Sequence, residues 1–319
     1  MPTLRTNRRG IVAMLAAMAL FIANDTLVKL ASVSYPPGQL MALRGVFACT
    51  FALALVLATA EARRLPTMLK PVVLLRAAFE ASVAFLFITS LGQLPLANLT
   101  AIMQATPIIL TVCTVVLGIE RVGWRRWSAI LVGFAGVIVI VRPSVDGFNI
   151  YAGLGLASAA LVVCRDLATR WIDDEVPTVV VTLSTTTLVA VAGLLLGANE
   201  SWGPLAWREV ALLAGAALLV TAGNIAMVTA FRSGEISVIS PFRYSIILFS
   251  IGLGYAAFGE VPDAISCLGI LLIVGSGIYT IHRQHVRSRD AARHGQPGAA
   301  PIPAAVHATA AAPDTARSP

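Results

Sequence analysis

Long apolar stretches are the feature of this sequence that most constrains its fold. Stretches of about 20 apolar residues recur along the chain, and an α-helix of that length crosses a hydrocarbon core of about 30 Å. Only 12% of the 319 residues are charged and 57% are hydrophobic, whereas a soluble domain carries about 25% charged residues. The sequence therefore predicts an all-α membrane protein and argues against a soluble enzyme.

Hydropathy and turn-forming residues predict ten transmembrane helices. They cover 11–30, 38–58, 71–92, 96–118, 124–141, 151–170, 178–197, 208–231, 236–258 and 263–282. The connections are short and contain Pro and Gly, as in Tyr35-Pro36-Pro37-Gly38. The basic start of the chain and the apolar run behind it imitate a signal peptide. Because the apolar run continues to Leu30, we expect a retained first helix.

The distribution of basic residues predicts the orientation of these helices. If residues 1–10 are cytoplasmic, only Lys29, Arg142 and Arg208 lie at external ends. The internal segments then hold Arg5, Arg8, Arg9, Arg63, Arg64, Lys70, Arg121, Arg125, Arg126, Arg170, Arg232, Arg283, Arg287, Arg289, Arg293 and Arg317. The positive-inside rule therefore places both termini in the cytoplasm of a bacterial-type inner membrane, with 283–319 as a disordered tail rich in Ala and Pro. This topology explains the net charge of +7 without a nucleic-acid partner.

Cysteine and histidine spacing predicts neither a metal site nor a disulfide framework. Cys49, Cys113, Cys164 and Cys267 lie inside apolar stretches without CxxC spacing, and the four histidines belong to the tail or its border. The sequence contains no HExxH, GxSxG or Walker A motif. We therefore expect no enzyme, no cofactor and no direct use of ATP.

The two halves of the chain share a sequence pattern. A shift of about 141 residues places 15–20 on 156–161, Asp25-x3-Lys29 on Asp166-x3-Arg170, and Glu120 on Glu260. Each half contains five crossings, an odd number, so the second half must be inserted upside down relative to the first. The sequence thus predicts inverted five-helix repeats over 11–142 and 151–282, an architecture typical of secondary transporters.

This layout resembles the drug/metabolite transporter superfamily with two EamA-type repeats. The resemblance covers 10–282 and rests on the five-plus-five layout, Pro107-x12-Glu120, Arg44 within Ala42-Leu43-Arg44-Gly45, and Pro241-Phe242-Arg243-Tyr244 before Phe258-Gly259-Glu260. It implies a permease that moves small organic solutes across the cytoplasmic membrane by alternating access. Its relatives export or take up amino acids, flavins, nucleotide-derived metabolites or metal-chelating metabolites. Helix seven lacks a counterpart of Arg44, and Ile247 stands where Pro107 would be matched, so we expect the second half to contribute differently.

Polar residues inside the predicted helices mark a candidate substrate path. An ionisable group near the bilayer centre costs several kcal/mol unless it faces a cavity or a partner. A rise of about 1.5 Å per residue places these residues at three depths. We predict as substrate-binding an outer cluster of Asn24, Asp25 and Arg44, a middle pair of Glu80 and Gln104, and an inner cluster of Arg165, Asp166, Asn224, Arg243 and Tyr244.

The deep charges favour a substrate with a carboxylate or phosphate. Arginines 44, 76, 165 and 243 outnumber Asp25, Glu80 and Asp166 by one, and arginine binds such groups in a bidentate way. Glu80 is the candidate for proton coupling, and its alternative is a permanent ion pair with Arg76. A further alternative is that Asp25–Arg44 and Asp166–Arg243 are ion pairs that only fix helix orientation.

Several functional alternatives stay open at the level of sequence. The carrier either exports its metabolite or takes up a vitamin- or nucleotide-derived one of the flavin or S-adenosylmethionine type, driven by protons or a counter-solute. A non-transporting scaffold or sensor would tolerate apolar residues at the deep positions.

Lys29 and Arg170 are expected as interfacial anchors, and Glu120 and Glu260 as structural caps or gates. Small residues in helices five and ten predict scaffold or homodimer contacts: Ala129, Gly133, Gly136, Gly269, Gly275 and Gly277.

Overall fold

A computed structural model describes residues 4–59, 61–116, 124–141, 149–169, 171–173, 175–233 and 236–293. These residues form α1 (Leu4–Ala31), α2 (Pro37–Ala58), α3 (Pro71–Leu91), α4 (Leu96–Met103), α5 (Thr106–Val116), α6 (Trp124–Val141), α7 (Ile150–Thr169), α8 (Thr178–Leu196), α9 (Trp207–Ser233), α10 (Ile236–Ile239), α11 (Ser245–Phe258) and α12 (Ala264–Arg293). Short 3₁₀ helices cover Glu61–Leu69, Gly197–Asn199 and Ser240–Tyr244. The described part of the chain contains no β-strand.

Eight segments of the described chain are long and apolar enough to cross a membrane. They are Arg8–Ala31, Pro37–Ala58, Pro71–Leu91, Leu96–Cys113, Ile150–Thr169, Thr178–Asn199, Trp207–Met227 and Pro241–Phe258. The predicted fifth and tenth spans fall on α6 and α12, whose described apolar parts are shorter, at Trp127–Val141 and Ala264–Tyr279. The protein is therefore an all-α membrane protein that crosses the bilayer several times, and the count of ten stays a prediction.

Proline and glycine define several helix boundaries. Pro37 and Pro71 are the first residues of α2 and α3, and Pro177 directly precedes α8. Proline suits the first helical turn because its missing N–H would have no partner there in any case. Gly259 ends α11 with a φ of 67°, a left-handed conformation that costs glycine no steric strain. Of these residues, Pro37 and Gly259 belong to turn-forming connections that the sequence indicated between predicted helices.

The most extensive helix contacts join the two halves of the chain: α1 packs on α9, α2 on α8, α3 on α7, and α6 on α12. Small residues allow the close approaches, since a Cβ added to Gly136 of α6 would lie 2.8 Å from the carbonyl oxygen of Gly269 in α12. Gly133 likewise faces Ile108 and Ser276. These glycines, which the sequence suggested for scaffold or homodimer contacts, are thus used in packing within the chain.

Large apolar side chains also cover the outside of the bundle. Leu131, Phe134, Leu195, Leu248 and Leu271 are all at least half exposed, as a surface that faces lipid tails requires. Exposed tryptophans lie near helix ends, at Trp124, Trp171, Trp202 and Trp207. Tryptophan is enriched at membrane–water interfaces, so these side chains suit the two edges of the bilayer.

Two predicted spans are interrupted rather than continuous. The span at 96–118 breaks at Gln104 and Ala105, between α4 and α5, and the span at 236–258 contains the 3₁₀ helix Ser240–Tyr244 between α10 and α11. Proline explains both breaks, because Pro107 and Pro241 lack the N–H that would continue the α-helical hydrogen bonds.

At the other extreme, α12 extends to Arg293, into the segment predicted as a disordered tail from 283. Residues 283–293 contain neither Pro nor Gly, so nothing in them ends the helix.

Candidate functional site

The deep charged residues meet around Arg165 of α7. Its Nη1 donates a hydrogen bond to the Glu80 carboxylate of α3 at 2.7 Å, and its Nη2 and Nε donate to Asp166 Oδ1 at 2.6 and 2.9 Å. The side chains of Arg165 and Asp166 are 10% and 12% exposed. The predicted middle and inner clusters are therefore joined, because the long arginine side chain carries its guanidinium to another depth than its Cα.

Arg44 of α2 and Arg243 of Ser240–Tyr244 belong to the same charged region. Arg44 interacts electrostatically with Asp25 and Glu80, and Arg243 with Asp166 and Tyr244. Both arginines are half-buried. Within the described ranges neither guanidinium forms a hydrogen bond or a close ion pair. The site thus contains two cationic groups without a bonded counter-charge.

The pairs proposed from sequence to fix helix orientation are not bonded pairs in this structure. Asp25 accepts a hydrogen bond from the Asn24 amide at 2.8 Å, and Arg44 is its electrostatic neighbour rather than its hydrogen-bond donor. Asp166 is bonded to Arg165 and not to Arg243. Asn24 is 3% exposed and its Oδ1 finds no partner within the described chain.

Arg76 of α3 is held by hydroxyl groups that the sequence did not indicate. Its Nε donates to Thr169 Oγ1 of α7 at 3.0 Å, and its Nη1 donates to Thr185 Oγ1 of α8 at 2.7 Å. Glu80 is also an electrostatic neighbour of Arg76, as the predicted pairing required. The run of threonines at 185–187 was the available signal for the hydroxyl contact.

The remaining predicted site residues lie in three different surroundings. Gln104 is half-buried at the break between α4 and α5. Tyr244 is 7% exposed and packs against Gly277 of α12, where a Cβ would leave it no room. Asn224 is exposed on α9 and separate from the charged region, because the preceding Gly223 is the residue that faces α1.

A second buried ion pair lies where α1 ends. Lys29 Nζ donates to Glu260 Oε1 and to the carbonyl oxygen of Leu94, both at 2.5 Å, and Glu260 Oε2 accepts the Leu96 N–H at 2.8 Å. The ammonium also lies 4.9 Å from the ring centroid of Phe258. With its side chain 8% exposed, Lys29 is a buried link between α1, α4 and α11 rather than the interfacial anchor expected. The corresponding residues Arg170 and Glu120 lie outside the described residues.

Two cavities open away from the charged region. One, of about 420 Å³, is lined by Tyr35, Thr89, Gln93, Tyr151 and neighbouring residues at the end of the bundle that holds Lys29. The other is apolar and lies between α3 and α8. Neither is lined by the deep charges. In the described part of the chain no group of three or more His, Cys, Asp or Glu side chains is arranged to hold a metal ion.

Comparisons with known proteins point to one family. The EamA-like transporter family matches residues 8–142. The chain is 27% identical over 273 residues to the pseudopaline exporter CntI of Pseudomonas aeruginosa, covering 84% of this chain and 94% of that protein. It is 27% identical to a riboflavin transporter of Vibrio cholerae (59% of this chain, 63% of that one) and 24% identical to an S-adenosylmethionine uptake transporter of Rickettsia bellii (60% and 65%).

A solved crystal structure shares the fold. It superposes with a TM-score of 0.55 at 20% identity, covering 87% of this chain and 98% of the other. At this identity the likeness concerns the fold alone. The family match shows an EamA-like transporter domain over residues 8–142, and the named relatives are transporters of small metabolites.

Proposed function

We propose that the protein is a secondary transporter, a permease, that moves a small polar metabolite bearing a carboxylate or phosphate across the cytoplasmic membrane by alternating access. One observation carries this proposal. A membrane helix is interrupted in each half, at Gln104–Ala105 and at Ser240–Tyr244, and the second break places Arg243 beside the charged region around Arg165. Interrupted helices at corresponding positions of two repeats typically line the substrate site of transporters.

The pairing of helices supports two inverted repeats over 11–142 and 151–282. Under the shift of 141 residues, α1 corresponds to α7 and α3 to α9, so the α1–α9 contact has its counterpart in α7–α3. The contacts α2–α8 and α6–α12 each join corresponding helices. A two-fold relation between the halves predicts this pattern. The distribution of basic residues places both termini in the cytoplasm.

The proposed substrate site follows the charged region and the two breaks. It comprises Asn24, Asp25, Arg44, Glu80, Gln104, Arg165, Asp166, Arg243 and Tyr244. Asn224 is left out because it is exposed on α9. A gradient of protons or a counter-solute supplies the energy, and no enzymatic activity is proposed.

A second candidate is an uptake carrier for a vitamin- or nucleotide-derived metabolite. The relatives named as riboflavin and S-adenosylmethionine transporters favour it. The relative named as an exporter favours export, and the match covers 94% of that protein. A non-transporting scaffold or sensor is the remaining alternative. It predicts that neutral substitutions of the deep charged residues leave the protein's activity unchanged.

Counterflow in proteoliposomes tests the proposal. We expect the purified full chain to exchange at least one solute of a panel that includes pseudopaline, riboflavin, S-adenosylmethionine and common carboxylates and phosphates. Glu80→Gln and Arg243→Gln should lower the exchange rate at least about tenfold, the effect of one lost charge-assisted contact. Cys164→Ala is the matched control, because Cys164 is exposed on α7 beside Arg165. Full exchange in both variants would refute the proposed substrate site. Failure to exchange any solute of the panel would refute the proposal that the protein is a transporter.

A further inference from the structure

The guanidinium of Arg165 is already occupied by the protein's own acids. It donates to the carboxylates of Glu80 and Asp166 from three of its nitrogen atoms, at 2.6 to 2.9 Å. Two carboxylates against one guanidinium more than neutralise its charge. A substrate anion that approached Arg165 would have to displace one of them, so within the proposed site this residue positions the two carboxylates and does not itself bind the anion.

Arg76 is occupied in another way. Its guanidinium donates to the hydroxyls of Thr169 and Thr185, which fix its direction between α7 and α8. These contacts use two nitrogen atoms and hold the side chain against neutral partners. Arg76 therefore contributes positive charge to the region, but two of its three nitrogen atoms are already bonded to the protein.

Arg44 and Arg243 differ from these two arginines. Both are half-buried, and within the described part of the chain neither donates a hydrogen bond. They lie near opposite members of the Arg165 cluster, since Arg44 interacts with Glu80 and Arg243 with Asp166. An arginine stays protonated in proteins, and an unpaired charge inside a membrane protein is costly. Each guanidinium has acidic neighbours but uses none of its N–H donors within the described residues, so its donors are available to an anionic group.

We infer that Arg44 and Arg243 each bind one anionic group of the substrate, so that the transported solute carries two separate carboxylate or phosphate groups. This inference rests on the proposed function and narrows it. Arg44 belongs to α2 in the first half, and Arg243 belongs to the interrupted helix of the second half. A solute with two anionic groups connects the halves that alternating access moves, whereas a single anionic group accepts hydrogen bonds from only one of the two guanidiniums.

Protection of arginines from phenylglyoxal tests this inference without a known substrate. The full chain in lipid nanodiscs is treated with the reagent, and modified arginines are identified by peptide mass spectrometry. The probes are linear dicarboxylates from succinate to suberate, with the monoamide and diamide of each. We expect Arg44 and Arg243 to react faster than Arg165. The dicarboxylate of matching length should protect both at a concentration at least about tenfold lower than its monoamide, and the diamide should protect neither.

Substitutions then assign the preference to the two residues. The Arg44→Gln variant is measured by the protection of Arg243, and the Arg243→Gln variant by the protection of Arg44. In both variants the dicarboxylate and its monoamide should protect at about the same concentration, since only one anion-binding guanidinium remains. Arg76→Gln is the matched control and should keep the preference. Arg44→Lys and Arg243→Lys retain the charge and should keep part of it, which separates loss of charge from loss of fold.

Three results would overturn the inference: Arg165 reacting as fast as Arg44, a preference that persists in both glutamine variants, or a dicarboxylate series that protects neither arginine. The counterflow experiment tests the transport proposal, and its outcome is independent of the arginine-protection result. Transport of a neutral or singly charged solute with full activity in Arg44→Gln would refute the inference and leave the transporter. A clear dicarboxylate preference without any exchange would leave the binding site and refute the transporter.

Discussion

The two ends of the helix bundle are closed by contacts of different kinds. At the Lys29 end, defined by the connections 32–36, 92–95, 197–206 and 259–263, the contacts are buried. Beyond the Lys29–Glu260 pair, Gln39 is fully buried and exchanges two hydrogen bonds with Gly203, at 2.8 and 2.9 Å. Tyr35 Oη donates to the carbonyl oxygen of Pro204 and accepts the Ala206 N–H.

At the Lys70 end, defined by Glu61–Leu69, Lys70 and residues 171–173 and 175–177, the ion pairs are exposed. The Lys70–Asp173 pair measures 2.7 Å, but its side chains are 38% and 65% exposed. Exposed ion pairs contribute little to the free energy of unfolding because water and salt screen the two charges. Breaking a buried pair costs more, because the remaining charge is not solvated. Similar distances therefore do not mean similar strength, and the Lys29–Glu260 pair costs more free energy to break than the Lys70–Asp173 pair.

The largest expected effect comes from breaking the buried pair. Glu260→Gln leaves the Lys29 ammonium buried against a neutral partner, so the free energy of unfolding should fall by about 3–5 kcal/mol. Denaturation in mixed micelles measures it. The double variant Lys29→Gln with Glu260→Gln should regain part of the loss, since no buried charge then lacks a partner. If the two single effects simply add, the ion pair does not hold this end.

A smaller loss is expected from Gln39→Leu at the same end. The leucine cannot replace the two hydrogen bonds to Gly203, whose N–H and C=O lose their partner, at a cost of about 1–2 kcal/mol. Gln93→Leu is the matched control, because Gln93 is a glutamine of the same end with an exposed side chain. Equal effects of both substitutions, measured by the same unfolding assay, would show that burial is not the cause.

The smallest effect is expected at the Lys70 end. Asp173→Asn should lower the unfolding midpoint less than either change above, and high salt should abolish the difference from the wild type because the pair is exposed. A loss as large as that of Glu260→Gln would contradict the contrast between the two ends.

The pH dependence of this pair has a defined sign. The hydrogen bond to Asp173 raises the pKa of the Lys70 ammonium. A raised lysine pKa gives a contribution that is complete at neutral pH and is lost as the pH rises through the shifted value, above the usual lysine range. Unfolding midpoints of the wild type and Asp173→Asn should therefore converge at strongly alkaline pH, and divergence there would refute the assignment.

The sequence predicted the deep charged residues but not the bonds between them. The depth of each Cα follows from helix length, which is why Arg165, Asp166 and Glu80 were recognised as membrane-embedded polar groups. An arginine side chain spans several ångströms, so the depth of its Cα could not show that Arg165 binds Glu80. The same limit explains Lys29, whose position near a helix end suggested an anchor while its ammonium reaches Glu260.

The rotation of each helix about its own axis was a second property that the sequence did not reveal. Asn224 lies at a suitable depth, but the hydropathy of α9 does not show which face meets α1, and the structure turns Gly223 inward instead. The breaks at Gln104 and at Ser240–Tyr244 were likewise missed, although Pro107 and Pro241 were visible in the sequence. Proline removes one hydrogen bond locally, and whether a helix bends, breaks or continues then depends on its neighbours.

The amino-acid sequence was sufficient to predict an all-α membrane protein, because apolar segments of bilayer length satisfy their backbone hydrogen-bonding groups in lipid as helices. It also determined which positions carry charge in the membrane. The folded arrangement shows which of those charges are bonded to one another: Arg165 holds two carboxylates, whereas Arg44 and Arg243 donate no hydrogen bond within the described residues. Pairing depends on the reach of each side chain and on the rotation of each helix about its axis, and packing between segments far apart in the chain fixes both.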